Sequence, residues 1–186
     1  YNIMALKKNT ELKDMFSGPS SLMYQKAAVD LSSATAIALA PELDIPVKVD
    51  SLKIEQGDPS LTHYKVIGMN GDWQSTAEIG DFEISFTVPT KHADVLKWAH
   101  GEDAVKDNVQ ATIGSANYKG QALTPTKHKI TGTFIIEDDA QENIMILSGV
   151  SLWAKPMLDD GKVYAIGLTG TLEIGDKPSI AWLKKA

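Results

Sequence analysis

Four histidines, at positions 63, 92, 100 and 128, are the residues best equipped for acid–base or metal chemistry. The nearest approach to a metal motif is His92-Ala93-Asp94 with His100 two turns further on. A tight site on a helix wants ligands at i and i+4, or ligands on opposed strands, and His92 with His100 offers neither. Solvated polar residues of a helix are the favoured reading for both. His63 and His128 sit among strand residues and receive the same reading. The acidic pairs Asp138-Asp139 and Asp159-Asp160 lack the alternating oxygens, sixth-position glycine and twelfth-position glutamate of a calcium loop, which leaves them as turn residues. Acidic residues are plentiful enough for a glycosidase pair, but no burial or separation can be read from sequence. Ser148-Gly149-Val150-Ser151 falls within a strand and has no nearby histidine. The chain contains neither a Gly-x-Ser-x-Gly elbow nor a Gly-x-x-x-x-Gly-Lys phosphate loop. No catalytic residue, cofactor or metal is therefore expected, and the chain does not read as an enzyme.

Composition narrows the partners. The chain has 186 residues, 43% of them hydrophobic, enough to close one core, and a net charge of -6 from 24 acidic and 18 basic side chains. Every basic residue is lysine. Without arginine, the usual bidentate reader of phosphate and guanine, a surface that grips nucleic acid is not expected. Cysteine is also absent, which excludes disulfides, thiolate nucleophiles and cysteine-bound zinc, and fits a reducing cytoplasm. The N-terminal stretch has no apolar core of signal-peptide length, and the most apolar run, Ala34 to Ala40, is too short to span a bilayer. These features read as a soluble, unsecreted protein. Met4-Ala5-Leu6-Lys7 has the form of a natural start, which would leave Tyr1-Asn2-Ile3 as an added remnant; a processed chain is the other reading.

The elements that must position any site are mostly strands. Phe82, Ile84, Phe86 and Val88 alternate with Glu83, Ser85 and Thr87, a half-buried strand. After Pro89 the period changes: Val95, Leu96, Ala99 and Trp98 recur at helical spacing up to Gly101, predicting one helix of about three turns. Before it, Val47 to Ile54 predicts a strand, Gln56-Gly57-Asp58-Pro59 a turn, and Leu61 to Met69 a strand closed at Asn70-Gly71. Asn-Gly is a strong signal for a tight hairpin, with Trp73 to Ile79 returning. After the helix, strands are expected over Asn108 to Tyr118, Lys127 to Glu137, Asn143 to Trp153 and Val163 to Ile174, with a short edge strand at Ser179 to Leu183. Lys155-Pro156 reads as part of a loop. Gly149, Gly167 and Gly170 mark bends. The segment 1–45 is irregular, with a possible helical turn at Thr10 to Phe16. It reads as an extended arm whose Met15, Phe16, Leu22, Met23 and Tyr24 must pack on its own domain or a neighbour. The expected fold is mainly β: an antiparallel sandwich or barrel over 46–186, with one short helix packed outside and that N-terminal arm.

The succession GDFEISFTVPTKHADVLKWAHGED, then TGTFIIEDDAQENIMILSGVSLWAKP, then DGKVYAIGLTGTLEIGDKPSIAWL resembles the major tail tube proteins of long-tailed bacteriophages. The resemblance covers the pattern from Pro46 to Leu183. It implies a structural subunit that forms stacked, hexameric rings around an acidic lumen, through which DNA passes without specific binding. It also implies other tail proteins as partners, no membrane anchor, and a virion tail assembled in the bacterial cytoplasm. The tube protein of type VI secretion shares the fold class, so an injection tube outside a virion is a further expectation. The apolar content of the first hairpins places the expected interface at Leu52, Ile54, Leu61, Tyr64, Asn70, Trp73 and Trp182. The competing reading is a monomeric β-barrel that binds a small apolar ligand or a partner protein, with Trp73, Trp98, Trp153 and Trp182 as a wall.

Overall fold

A computed structural model describes residues 14–33, 35–159, 161–173 and 175–186. In chain order its elements are β1 (Pro19–Gln25), β2 (Leu43–Ile45), β3 (Lys53–Gln56), β4 (Ser60–Tyr64), β5 (Gln74–Glu78), β6 (Phe82–Val88), α1 (Ala93–His100), β7 (Val105–Ile113), β8 (Ala116–Leu123), β9 (Lys129–Asp138), β10 (Asn143–Asp159), β11 (Val163–Leu172) and β12 (Ile180–Lys184). The fold is mainly β with antiparallel pairing and one short helix, as its alternating sequence predicts.

One eight-stranded sheet carries the core, in the order β2-β1-β9-β10-β11-β6-β3, with β12 beside the first part of β10. Ile84, Phe86 and Val88 of β6 face inward and pack with Phe134 and Ile136 of β9, Leu147 and Leu152 of β10, and Ile166 and Leu168 of β11. Helix α1 lays Val95, Leu96 and Ala99 into this cluster. The His92 imidazole accepts a hydrogen bond from the Asp94 N–H at its start, and Gly101 ends it. With eight residues it makes just over two turns rather than three.

The segment read as an arm is partly sheet. β1 pairs with β9 along its length and β2 pairs with β1, so Leu22, Tyr24 and Ile45 are buried in the common core. Between these strands, Ala27 and Val29 meet the face of the sheet opposite Phe134, where the Thr133 side chain points. The Thr133 hydroxyl donates to Ala27 O at 3.0 Å, the Ser148 hydroxyl donates to Val29 O at 2.7 Å, and Gln25 Oε1 accepts from Ala40 N at 2.8 Å. Three buried polar side chains are thereby satisfied by backbone. The possible helical turn at Thr10 to Phe16 lies outside the described residues up to Lys13, and Asp14 to Phe16 are not helical.

Strand β10 corrects the expected loop at Lys155-Pro156, because it runs unbroken through both residues to Asp159. Its partner β9 reaches only to Trp153, so beyond that point β10 is an edge paired with β11 alone. A proline is tolerated there because no neighbour requires its missing N–H. Near the other end, Gly149 (φ 80°) forms a bulge where the register to β9 shifts between Ser148 and Val150. On its opposite side β10 changes neighbours across the same point, from β12 to β11.

The β9–β10 turn is held by Asp138, which is fully buried. Its carboxylate accepts hydrogen bonds from the Asn143 side-chain amide at 2.7 Å, the Glu142 and Asn143 backbone N–H groups at 3.0 Å each, and the Ser17 hydroxyl at 3.4 Å. Asn143 contributes most to holding its pKa below the ordinary carboxylate value, against burial, which pushes it up. A depressed folded-state pKa means the unfolded chain takes the proton first. This contribution is complete at neutral pH and is lost as pH falls below about 4. Asp138→Asn is expected to lose it: urea midpoints of the two proteins differ at pH 7 and converge as pH falls through that window. A gap that stays constant with pH would show that Asp138 is not held ionised.

Candidate assembly surface

Two hairpins stand apart from the sheet. β4 pairs with β5, from Ser60 opposite Glu78 to Tyr64 opposite Gln74, and β7 pairs with β8. Among the described residues neither pair joins the eight-stranded sheet, and every residue of β4 and β5 is exposed. At the root of β4–β5, Gly57 donates to Asp81 O at 2.8 Å and Gln56 Nε2 donates to Gly80 O at 3.2 Å. A side chain at Gly80 would collide with the Gly57 carbonyl, so glycine permits the close backbone approach from which the hairpin projects.

The loop 65–73 joins its strands. Asn70-Gly71 does not make the expected two-residue turn: the positive φ falls at Gly68 (90°), and the return is closed by Trp73 N–H donating to Tyr64 O at 2.7 Å. The His63 Nδ1 lies 2.7 Å from an Asp72 carboxylate oxygen across the loop base. Around this frame Leu61, Tyr64, Ile67, Met69 and Trp73 are exposed, Trp73 at 64% and Ile67 completely.

The residues expected at an interface divide into three groups. Leu61, Tyr64, Asn70 and Trp73 come together on the β4–β5 hairpin. Leu52 and Ile54 are half-buried against the core cluster, where Ile54 of β3 sits opposite Ile84. Trp182 is exposed on β12, a separate part of the molecule. Ile67 closes the stretch from Leu52 that the sequence assigns to subunit contacts, whereas sequence reasoning missed Ile113 and Tyr118 on the second hairpin, both exposed. The signal for the second hairpin was Gly114 (φ 61°) between two short alternating runs, within a stretch that reads as one strand from Asn108 to Tyr118.

His63 and His92 stand apart, whereas His100 and His128 line one cavity. His63 is on β4, His92 caps α1 in solvent, and His128 precedes β9. Contrary to the solvated reading, His100 is buried, at 2% exposure, because it falls on the same inward stripe as Leu96. Burial, and then the neighbouring His128, push its pKa below the ordinary histidine value. Among the described residues no three His, Asp or Glu side chains are placed to hold a metal ion. Asp160, half of one acidic pair, and Ile174 lie outside the described residues. Trp98, Trp153 and Trp182 line three different cavities, and Trp73 is on the projecting hairpin. The arrangement gathers exposed apolar side chains on one projecting β-hairpin. No protein-family model matches the chain, and no curated protein matches it in sequence.

Proposed function

We propose that this chain is a structural subunit that associates with copies of itself through its projecting hairpins, and that the assembly is a stacked-ring tube of the phage-tail kind. The observation that carries the reading is the β4–β5 hairpin with Leu61, Tyr64, Ile67, Met69 and Trp73 in solvent. A two-stranded hairpin is marginal in water unless a third element covers it. A neighbouring subunit is the simplest cover, and a repeated self-contact closes rings when its rotation closes. The exposed β3 and β2 edges of the sheet would gain backbone partners in the same way. The net charge of -6 without arginine suits a channel that lets DNA pass without holding it.

Light scattering and negative-stain imaging over a range of protein concentrations test the reading. Rings or tubes that appear as concentration rises are the expected result. A particle that stays monomeric at every concentration, with and without purified tail-initiation proteins, would overturn it.

A further inference from the structure

We infer that Asn70 is a self-modifying residue: its side-chain amide is lost spontaneously through attack by the Gly71 backbone nitrogen, leaving aspartate or isoaspartate in the hairpin loop. Asn70 is exposed in the loop 65–73. Among the described residues no hydrogen bond holds its side chain or the Gly71 N–H. The space where a Gly71 side chain would stand is open, with no atom within 4 Å. Glycine also leaves the backbone free to rotate into the attack geometry.

In the first step the Gly71 nitrogen gives up its proton to solvent and bonds to Asn70 Cγ. The Cγ–Nδ2 bond then breaks, and Nδ2 leaves as ammonia after taking a proton from water. The product is a five-membered succinimide that joins the Gly71 nitrogen to both Asn70 carbonyl carbons. Water opens this ring at either carbon. Opening at Cγ restores the normal main chain with an aspartate side chain. Opening at the backbone carbon routes the chain through Cγ, giving isoaspartate with one extra methylene in the loop. In sum, one water is consumed, one ammonia is released and one negative charge appears.

The other described asparagines are internal controls. Asn108, Asn117 and Asn143 each stand in a strand before a bulkier residue, namely Val109, Tyr118 and Ile144. The Asn143 side chain is also held by Asp138 at 2.7 Å.

The test is peptide mass spectrometry of the full chain during incubation at neutral pH and physiological temperature, with isoaspartate detected by enzymatic methylation. The Asn70 peptide is expected to gain about one dalton, in both product forms, at least about ten times faster than the three controls. Gly71→Val, in open space on an exposed loop, is expected to bring Asn70 down to the control rate with an unchanged unfolding midpoint. Asn70→Gln is expected to remove the fast mass gain altogether. A rate at Asn70 no faster than at Asn117, or one that Gly71→Val leaves unchanged, would overturn the inference. Measured on dilute, unassembled protein, the rate does not depend on the hairpin's being an interface, so its failure and the failure of the tube reading are distinguishable.

Discussion

Trp73→Ser is expected to leave the isolated subunit folded while removing its self-association. The indole is 64% exposed on the β4–β5 hairpin, so truncating it opens no cavity, and surface changes of this kind usually alter stability by less than about 0.5 kcal/mol. At an interface the same residue is the type that anchors binding, where truncation costs about 2 kcal/mol or more, equivalent to roughly thirtyfold in affinity per contact. Repeated around a ring, that loss compounds, and the concentration needed for assembly rises beyond reach. Ile67→Asp, at the fully exposed loop position, is expected to act in the same direction. Sedimentation velocity reads assembly, and urea unfolding of dilute protein reads the fold. Assembly at the wild-type concentration in both variants would remove the hairpin from the interface, and unfolding of the Trp73 variant would show instead that the indole packs on its own domain.

Phe134→Ala is expected to have the largest effect on the fold itself. Phe134 is 2% exposed on β9, and its ring centroid lies 5.3 Å from Tyr24, 6.2 Å from Phe86 and 6.4 Å from Trp98. It thus joins β1, β6 and α1 through one side chain. Removing a buried phenyl ring costs about 3–5 kcal/mol in transfer and cavity terms, against a total stability of roughly 5–15 kcal/mol. Thermal unfolding should fall by about 6–20 °C in a domain of this size. Phe134→Leu, which keeps most of the volume, should lose much less. An alanine variant within about 1 kcal/mol of wild type would mean that the three aromatic neighbours collapse into the space.

The strands most legible in the sequence were those whose periodicity changed at a definite residue. β6 and α1 are separated by Pro89, and the alternation of two gives way to helical spacing on either side of it. β9 and β10 were legible because Asp138-Asp139 interrupts two apolar runs. β1 was not legible as sheet. Its alternating Leu22 and Tyr24 are set among serines and a methionine, and its partner strand lies far along the chain. Pro156 was misleading because tolerance of proline depends on having a neighbour on one side only, a property of the sheet rather than of the strand. For the same reason His100 reads as polar helix surface, although the helix turns it inward. Of the seven expected interface residues, the four on the β4–β5 hairpin share one exposed element because they flank a single loop. Leu52 and Ile54 were drawn in by apolar character alone, which does not distinguish a core strand from a sticky one.

The pairing of β1 with β9 also sets a timetable. Ser20 and Asp138, joined by a hydrogen bond at the end of that ladder, are 118 residues apart. At a synthesis rate of roughly 5–20 residues per second, about 6–24 s separate their emergence from the ribosome. Throughout that interval Leu22, Met23 and Tyr24 have only the three-residue β2 to pair with, and the β9–β10–β11 meander, once made, can form from contacts near in sequence. β1 is therefore among the last of the described strands to be fixed in place. During the wait, the β9 of any neighbouring nascent chain offers the same partner sequence to the open edge of β1. Closure of each molecule on its own β1 is then a matter of timing between chains as well as of the contacts in the finished sheet.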